Sequence, residues 1–302
     1  MSVIVEGLTK LYGTQKAVDQ LSFEAKKGEV LGFLGPNGAG KTTTMKIISC
    51  FIPQTVGSAT ICGYQTDIDP MEVRKKIGYL PEHNPLYKEM YIKEYLNFVA
   101  GLHKISNKRQ RVAEMIEMTG LGREQNKKIG EISKGYKQRV GLAQAMIHDP
   151  EVLILDEPTS GLDPNQLVEI RSLIKRVGAS KTVIFSTHIM QEVQAVCDRV
   201  VIINKGKLVA NDDINTLQSK VRGESLVSVQ FLESTKEEQL SRISNVLKVQ
   251  GMGDKRWLIS ADLSKDIRAD LFKFAVDQKL TIIELKKEVS SVEDVFQQLT
   301  AI

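Results

Sequence analysis

The octapeptide GPNGAGKT, from Gly35 to Thr42, limits the possible folds of this chain more than any other part of the sequence. It fits the pattern G-x-x-x-x-G-K-[ST], follows the apolar run Val30–Leu34 and precedes TTTMKIISCF, which has a helical pattern. A strand, a glycine-rich loop and a helix in this order direct backbone N–H groups toward a bound phosphate. A chance match in ~300 positions has a probability of roughly one in a hundred. A glycine-rich turn without a ligand is therefore the less favoured alternative.

The side chains of this loop predict a nucleotide site with a magnesium ion. Lys41 supplies a positive charge to the β- and γ-phosphate oxygens, and the Thr42 hydroxyl is a ligand for Mg²⁺. The predicted ATP-binding residues of the loop are Gly35, Pro36, Asn37, Gly38, Ala39, Gly40, Lys41, Thr42 and Thr43.

Two further strand ends carry polar residues of the same chemistry. VLILDEP, from Val152 to Pro158, ends in Asp156, which can hold Mg²⁺ through water, and Glu157, which can polarise an attacking water. Successive side chains alternate along a strand, so the two carboxylates point in different directions. His188 closes the strand-like run at Val183–Phe185 and could bond a γ-phosphate and orient that water. Two solvated acids at a turn and a surface histidine are the alternatives, and both are weaker beside a phosphate loop.

The composition is that of an ordinary globular protein and excludes few classes of function. The chain has 302 residues, 42% of them hydrophobic and 26% charged, and a net charge of +4. This mild excess of positive charge does not require nucleic acid as a partner, and it is compatible with binding near an anionic membrane surface. Cys50, Cys62 and Cys197 show no disulfide or metal-binding spacing, which favours a reducing cytosol. We expect neither a signal peptide nor a membrane-spanning segment, because no apolar run approaches about 18 residues.

Short β-branched runs alternate with helical patterns, which predicts an α/β core with a largely parallel sheet. A helical subdomain is expected at about residues 88–149, with Ser106 capping a helix that runs through Met118 to Gly120. INKGK, residues 203–207, predicts a hairpin with Gly206 at positive φ. The predicted core strands are Val30–Leu34, Val152–Leu155, Val183–Phe185 and Val200–Ile203, and Val3–Glu6 and Leu21–Ala25 are expected as an antiparallel edge.

The pattern changes near residues 221–224, which predicts a first domain at 1–220 and a small α+β domain at 221–302. Strands are expected at 226–232, 256–261 and 281–289, and helices at 237–247 and 265–278. A capping box of Ser290 and Glu293 predicts a closing helix.

The order of these motifs resembles that of the ATP-binding subunits of ABC transporters, over about residues 1–220. The resemblance rests on Gly35–Thr42, SKG at Ser133–Gly135, LILDEP at Leu153–Pro158, SGLD at Ser160–Asp163, and His188. It implies a phosphate-loop ATPase core that packs head to tail with a second similar subunit, identical or not, around two ATP molecules. Ser133, Lys134 and Gly135 would then lie at the partner's γ-phosphate, Asp163 in a loop at the interface, and Tyr12 against adenine.

Two departures from the family pattern bear on the site. Ile132, Lys134 and Tyr136 replace Leu, Gly and Gln of the middle motif, and the Lys134 ammonium either faces the nucleotide interface or is solvated. Glu82 stands where the family usually has Gln. A carboxylate can bind Mg²⁺ in its place but cannot donate a hydrogen bond.

The resemblance implies an ATPase subunit on the cytoplasmic face of the cell membrane that powers a separate integral membrane permease. With the C-terminal domain, it points to an exporter subgroup that includes drug-resistance-type and gliding-motility-associated ATPases. ATP and Mg²⁺ are the expected cofactors, and no nucleic acid is expected. A soluble ABC-type ATPase and a nucleotide-dependent clamp without a permease are the alternatives. Ribosome-acting relatives carry two phosphate loops, and repair-type relatives carry a long coiled coil between Lys41 and Ser133. This chain shows neither feature.

Overall fold

The computed structural model of the chain describes residues 1–214, 224–262 and 266–288. The chain forms two compact units, Met1–Ile214 and Asn215–Ile302. The predicted closing helix at Ser290 and Glu293 lies outside the described residues. None of the helices in these ranges is both long enough and apolar enough to span a bilayer.

The first unit alternates strands and helices, as the α/β pattern predicts. Its strands are β1 (Val3–Tyr12), β2 (Gln15–Ala25), β3 (Val30–Leu34), β4 (Val56–Ile61), β5 (Tyr64–Gln65), β6 (Ile77–Leu80), β7 (Val152–Asp156), β8 (Thr182–Thr187), β9 (Arg199–Asn204) and β10 (Lys207–Asp213). Its helices are α1 (Lys41–Ile48), α2 (Pro70–Lys76), α3 (Ile92–Leu102), α4 (Lys108–Met118), α5 (Lys134–Met146), α6 (Pro164–Gly178) and α7 (Met190–Val196), with a short 3₁₀ turn at Ile129–Glu131.

A six-stranded sheet in the order β10-β9-β3-β8-β7-β6 forms the centre of this unit. Its neighbours are parallel except for β10, which returns antiparallel along β9. Every residue of β3 and β7 is buried, as expected for parallel strands covered on both faces. The β9–β10 turn contains Gly206 at φ +80°, as the INKGK pattern predicts. The carboxyl ends of β3, β7 and β8 therefore meet at one edge.

β1 and β2 are antiparallel and lie outside the parallel core sheet, as expected for an antiparallel edge sheet. They join β4 and β5 in a separate antiparallel sheet, β2-β1-β4-β5. β1 is central, because it pairs with β2 on one side and with β4 on the other. Apolar residues of this sheet share one buried cluster with the core sheet and α1, including Phe23 against Phe33 with ring centroids 5.2 Å apart.

The segment between β6 and β7 is largely helical, as the sequence predicts. α3, α4 and α5 pack through one apolar cluster that includes Leu96, Met115 and Val140. The predicted cap at Ser106 is wrong: Asn107 holds the N-cap position of α4, and its side chain makes no capping bond. Gly120 follows the end of α4 at φ +67°, a conformation that glycine adopts without steric cost.

In its described residues, the second unit contains an antiparallel sheet with two helices. The described elements are β11 (Glu224–Phe231), α8 (Glu237–Leu240), β12 (Val246–Gly251), β13 (Arg256–Asp262), α9 (Arg268–Asp277) and β14 (Ile282–Glu288), with the sheet order β12-β13-β11-β14. The helix predicted at 237–247 ends at Leu240, and Val246–Gly251 is a strand that the sequence reading missed. Pairing of β12 with β13 and burial of Val249 override the helical spacing of its apolar residues.

Candidate active site

The candidate site lies where three parallel strands of the core sheet end. β3 runs into the phosphate loop, β7 ends at Asp156, and β8 ends at Thr187. The sheet register pairs Leu34 with Thr187 and Asp156 with Ser186, so the three ends are level. The backbone N–H of Gly35 donates to the Thr187 carbonyl at 3.4 Å. The topology thus brings together motifs that are far apart in the sequence.

The shape of the phosphate loop depends on two glycines in close contact with other backbone. Gly40 has φ +104°, and a Cβ there would overlap the carbonyl oxygen of Ala17. A Cβ on Gly35 would lie 2.5 Å from the carbonyl oxygen of Ile203. Since Cβ atoms do not approach backbone oxygens so closely, only glycine allows this packing. The loop is therefore held between β2 and the end of β9 before α1 begins at Lys41.

Glu157 lies between the two other predicted catalytic side chains. Its Oε1 is 3.3 Å from Lys41 Nζ, and both side chains are less than 10% exposed. Its Oε2 is 3.0 Å from His188 Nδ1. Lys41 Nζ also donates to the carbonyl oxygens of Gly35 and Pro36, at 2.9 and 3.3 Å. One carboxylate thus contacts both the lysine of the phosphate loop and the histidine at the end of β8.

The backbone of Glu157 is unusual, and this redirects its side chain. Its φ is +50°, in the left-handed region. The Glu157 N–H donates to the hydroxyl and the carbonyl of Ser186, each at 3.1 Å. Such a conformation in a non-glycine residue is uncommon and tends to occur at functional sites. The two adjacent acids consequently have different surroundings, as predicted, but the cause is the positive φ of Glu157 just beyond the end of β7 and not the alternation along a strand.

Asp156 is fully buried, and its surroundings are those expected of a ligand for a divalent cation. Burial raises its carboxyl pKa, and the hydrogen bond from Ser186 and the nearby Thr42 hydroxyl oppose that rise. Ser186 Oγ donates to Asp156 Oδ1 at 2.6 Å. Among the described residues, Oδ2 has no hydrogen-bond partner. Asp156, Thr42 and Glu82 line one cleft of about 450 Å³. A buried carboxylate oxygen without a partner, beside a hydroxyl and a second carboxylate, fits Mg²⁺.

A second and larger cleft, of about 730 Å³, opens over the phosphate loop. The sequence did not predict Gln15, Lys16, Ala17, Ser160 or Lys205 as site residues, although Ser160 belongs to the SGLD motif. They approach the cleft from the start of β2, from the β9–β10 turn and from the loop after Glu157. The close contacts of Gly35 and Gly40 place the first two segments there, and no spacing in the sequence signals them. The cleft is lined by Gln15, Lys16, Ala17, Asn37, Gly38, Gly40, Lys41, Thr42, Thr43, Glu82, Glu157, Ser160, His188 and Lys205.

Tyr12 is not among the residues that line this cleft. It ends β1, is about half exposed, and has the Lys10 ammonium 5.4 Å from its ring centroid. The hairpin that carries it does reach the cleft through Gln15 and Lys16.

Gly35, Pro36 and Ala39 of the phosphate loop and Asp156 are also outside the lining of this cleft. The remaining predicted residues form the starts of two neighbouring helices and are Ser133, Lys134, Gly135 and Asp163. Ser133 caps α5 by accepting from the N–H of Tyr136 at 3.4 Å, and Asp163 caps α6 by accepting from the N–H of Gln166 at 3.0 Å. A Cβ on Gly135 would overlap the Gln166 side chain, so these helix starts are in contact.

Lys134 lies in the first turn of α5 and is exposed. Its backbone does not take a positive φ, a conformation that the glycine of the family motif could adopt at this position. Its ammonium lies beside Gly161, in the loop that ends at Asp163. The exposed position in the first turn of α5 agrees with a solvated lysine, and an ammonium that faces the nucleotide interface stays a prediction.

The phosphate loop between a core strand and a helix, with Asp156, Glu157 and His188 at adjacent strand ends, defines a nucleotide-hydrolysing domain of the ATP-binding-cassette class. Comparisons with known proteins agree with this class. The family model described as ABC transporter matches residues 18–160. The ABC transporter ATP-binding protein YhcH of Bacillus subtilis (strain 168) is 34% identical over 98% of this chain and 95% of its own length. The linearmycin resistance ATP-binding protein LnrL of the same organism is 32% identical, over 98% of this chain and 97% of that protein.

Further matches extend the comparison to solved structures. The bacitracin transport ATP-binding protein BcrA of Bacillus licheniformis is 39% identical over 74% of each chain. An ATP-binding subunit of an ABC transporter has a TM-score of 0.67 at 28% identity, covering 74% of this chain and 94% of its own. A dimeric ATP-binding cassette in a post-hydrolysis state, bound to ADP and Pi, has a TM-score of 0.65 at 27% identity over 70% of this chain and 98% of its own. The chain belongs to the ABC transporter family of ATP-binding proteins, and it is an ATPase of that family.

Proposed function

We propose that this chain hydrolyses ATP with Glu157 as general base and thereby drives a separate integral membrane permease. The observation that carries the catalytic part is the contact of one buried carboxylate with both Lys41 and His188. The three groups come from different strand ends, so they meet only in the folded chain. Phosphoryl transfer depends mainly on positioning and charge stabilisation, which such an arrangement supplies.

Each of the three side chains has a distinct role in this proposal. Glu157 accepts a proton from the attacking water, because its carboxylate faces the cleft over the phosphate loop. His188 orients that carboxylate through its Nδ1 contact and offers its other ring nitrogen to the γ-phosphate. Lys41 balances the negative charge of the β- and γ-phosphates, and its contacts with two loop carbonyls hold it in place.

Thr42, Asp156 and Glu82 would hold Mg²⁺ in this proposal. The three line one cleft, and Asp156 Oδ2 has no hydrogen-bond partner among the described residues. The ion would neutralise charge on the β- and γ-phosphate oxygens. Thr42 contributes a hydroxyl, and the two carboxylates contribute negative charge at the end of β7 and in the loop after β6.

The proposed assembly is a head-to-tail dimer around two ATP molecules, with an identical or similar partner. Ser133 and Lys134 are exposed, and with Gly135 and Asp163 they lie outside the cleft of their own chain. The Ser133 hydroxyl and the N-terminus of α5 are suited to grip a phosphate from the other subunit. A related cassette of similar fold forms a dimer in its structure, which supports this arrangement.

Export across the cell membrane, from its cytoplasmic face, is the proposed process. Two relatives are named for linearmycin resistance and bacitracin transport, and the first matches nearly the whole chain. The net charge of +4 suits a peripheral position at an anionic membrane surface. An association with gliding motility stays a prediction, on which these relatives do not bear. A nucleotide-dependent clamp without a permease is less favoured, because it does not need the Glu157–His188 pair.

Replacement of Glu157 by Gln tests the catalytic part. The amide keeps the size of the side chain but cannot accept the proton, so we expect ATP binding to persist and kcat to fall roughly 10²- to 10⁴-fold. ATP should then trap a dimer on size-exclusion chromatography. Glu151→Gln is the matched control, since Glu151 precedes the same strand and is exposed in an ion pair with Lys76. Normal hydrolysis by the Glu157→Gln variant would remove this residue from the role of base.

A further inference from the structure

A second buried acid lies next to the site, on the helix that follows His188. Glu192 is in the first turn of α7 and is 1% exposed. Thr187 Oγ1 donates to Glu192 Oε2 at 2.6 Å, and the same hydroxyl oxygen accepts from the N–H of Ile189 at 3.1 Å. These two bonds enclose His188, which lies between Thr187 and Ile189 in the chain. The carboxylate of Glu192 therefore fixes the turn that carries the histidine.

Thr187 connects this turn to the rest of the site. Its carbonyl oxygen accepts from Gly35 N at 3.4 Å, at the start of the phosphate loop. The residue after it, His188, contacts Glu157 through Nδ1 at 3.0 Å. A displacement of Thr187 would consequently move the histidine relative to the proposed base. Misplacement of such groups by about 1 Å can cost roughly 10²-fold in rate.

The other oxygen of Glu192 faces a helix that begins at the predicted dimer interface. Glu192 Oε1 is 3.9 Å from Arg171 Nη2, and Arg171 lies on α6. Within the described part of the chain, the buried Nε of Arg171 has no hydrogen-bond partner. Because α6 starts at the Asp163 cap, a rotation of this helix changes the distance between the two charges. A buried carboxylate is sensitive to such a change, since little solvent screens it.

We propose that Glu192 is a positioning residue for His188: it holds the Thr187 turn in place, and through Arg171 it couples that turn to α6. The inference rests on the proposed role of His188 and assigns a function to an acid outside the nucleotide and metal sites. It implies that contacts made by the loop ending at Asp163 reach the histidine through one helix and one ion pair.

Substitutions along this chain of contacts test the proposal by kinetics. Glu192→Gln retains the size of the side chain and one acceptor oxygen but loses the charge that attracts Arg171. Thr187→Val removes the hydroxyl, and Thr187→Ser restores it. We expect the first two variants to lower kcat roughly 5- to 50-fold with KM for ATP changed less than about twofold, and Thr187→Ser to recover most of the activity. The control is Glu72→Gln, a partly exposed acid outside the site that pairs with Lys75 and should behave like the native chain.

Histidine NMR provides a readout that a purely structural role would not move. The chain has four histidines, so ¹⁵N-labelled imidazoles give a short spectrum, and His188→Ala assigns the signal of interest. His103 and His148 stack on each other and serve as internal references. We expect Glu192→Gln and Thr187→Val to shift the His188 nitrogens while the references stay unchanged.

The outcomes separate this inference from the proposed function. Unchanged His188 signals and unchanged kcat in Glu192→Gln would overturn the positioning role. A lower melting temperature with native His188 signals would also overturn it, because Glu192 would then only stabilise the fold. If His188→Ala hydrolysed ATP at the native rate, the role of the histidine in the proposed function would fail. The NMR shifts would still decide whether Glu192 positions it.

Discussion

At the scale of single residues, the main feature of the site is a buried ion pair with a third partner. Lys41 and Glu157 are nearly inaccessible, and Glu157 also contacts His188. Taking two charges out of water carries a desolvation cost that their attraction repays poorly, so such a pair is weak evidence of a stabilising role. The positive φ of Glu157 adds a conformational cost. Both costs are understandable in a site that has to place one carboxylate between a lysine and a histidine.

Glu82, where the family usually has Gln, leads to a prediction about metal dependence. Its carboxylate lines the same cleft as Asp156 and Thr42 and adds to the negative charge there. We expect Glu82→Gln to keep ATPase activity within several-fold at saturating Mg²⁺ but to need roughly three- to tenfold more Mg²⁺ for half-maximal binding of a fluorescent ATP analogue. Glu89→Gln, a highly exposed acid further along the chain, should leave the titration unchanged. Complete loss of activity at saturating Mg²⁺ would mean that the carboxylate does something an amide cannot.

At the scale of elements, contacts between helix ends connect α3 with α5 and connect both to the core sheet. His103 ends α3 and His148 follows α5, and their rings stack with centroids 4.1 Å apart. His148 Nε2 contacts the carbonyl of Ile77 in β6 at 2.8 Å. Burial, reinforced by the nearby His103, lowers the pKa of His148 to about 4, and burial also lowers the pKa of His103. Both rings are therefore neutral in the folded chain at neutral pH.

This contact predicts a pH dependence of stability. A histidine whose pKa is lower in the folded state binds more protons when unfolded, so stability rises as the pH increases from about 4 to about 6.5. We expect His148→Gln to remove on the order of 2 kcal/mol of that rise, since the ring is only partly buried. Urea unfolding at several pH values, followed by circular dichroism, measures it. Fluorescence is unsuitable, because the single Trp257 lies in the second unit.

The control for this prediction is His83→Gln, since His83 is exposed and should leave the pH profile unchanged. An identical pH dependence in the native chain and His148→Gln would show that the stacked pair does not report on folding.

At the scale of the whole molecule, one unit contains all the proposed nucleotide and metal ligands. Every residue that lines the two clefts of the site belongs to Met1–Ile214. The second unit has its own buried cluster, which includes Val229, Phe231 and Leu271. The proposed nucleotide chemistry therefore depends on residues of the first unit alone.

Capture of the full chain from its native membrane tests the assembly. With ATP and vanadate present to hold the closed dimer, we expect a tagged copy to retain a polytopic membrane protein. The same preparation with Lys41→Ala, which loses phosphate binding, controls for non-specific recovery and should retain no closed dimer. Recovery of ribosomes, nucleic acid or the chain alone would instead support a soluble ABC-type ATPase or a clamp.

The sequence by itself determined the local part of the structure. The phosphate loop Gly35–Thr42 between a strand and a helix, and the turn at Gly206, depend on residues close together in the chain, so their patterns predicted them correctly. Strand pairing was less accessible. β1 also pairs with β4, which lies beyond α1 in the chain, and β12 forms a hairpin with β13 although its apolar residues have helical spacing.

Only the tertiary structure decided how the site is held together. Side chains could be assigned to strand ends from the sequence, but the placement of Glu157 between Lys41 and His188 follows from the level register of β3, β7 and β8. The bond from Thr187 to Glu192 and the approach of Lys205 to the cleft are also consequences of packing. Hydrogen bonds and ion pairs act over a few ångströms, whereas sequence patterns specify which elements form and leave the distances between their side chains to the fold.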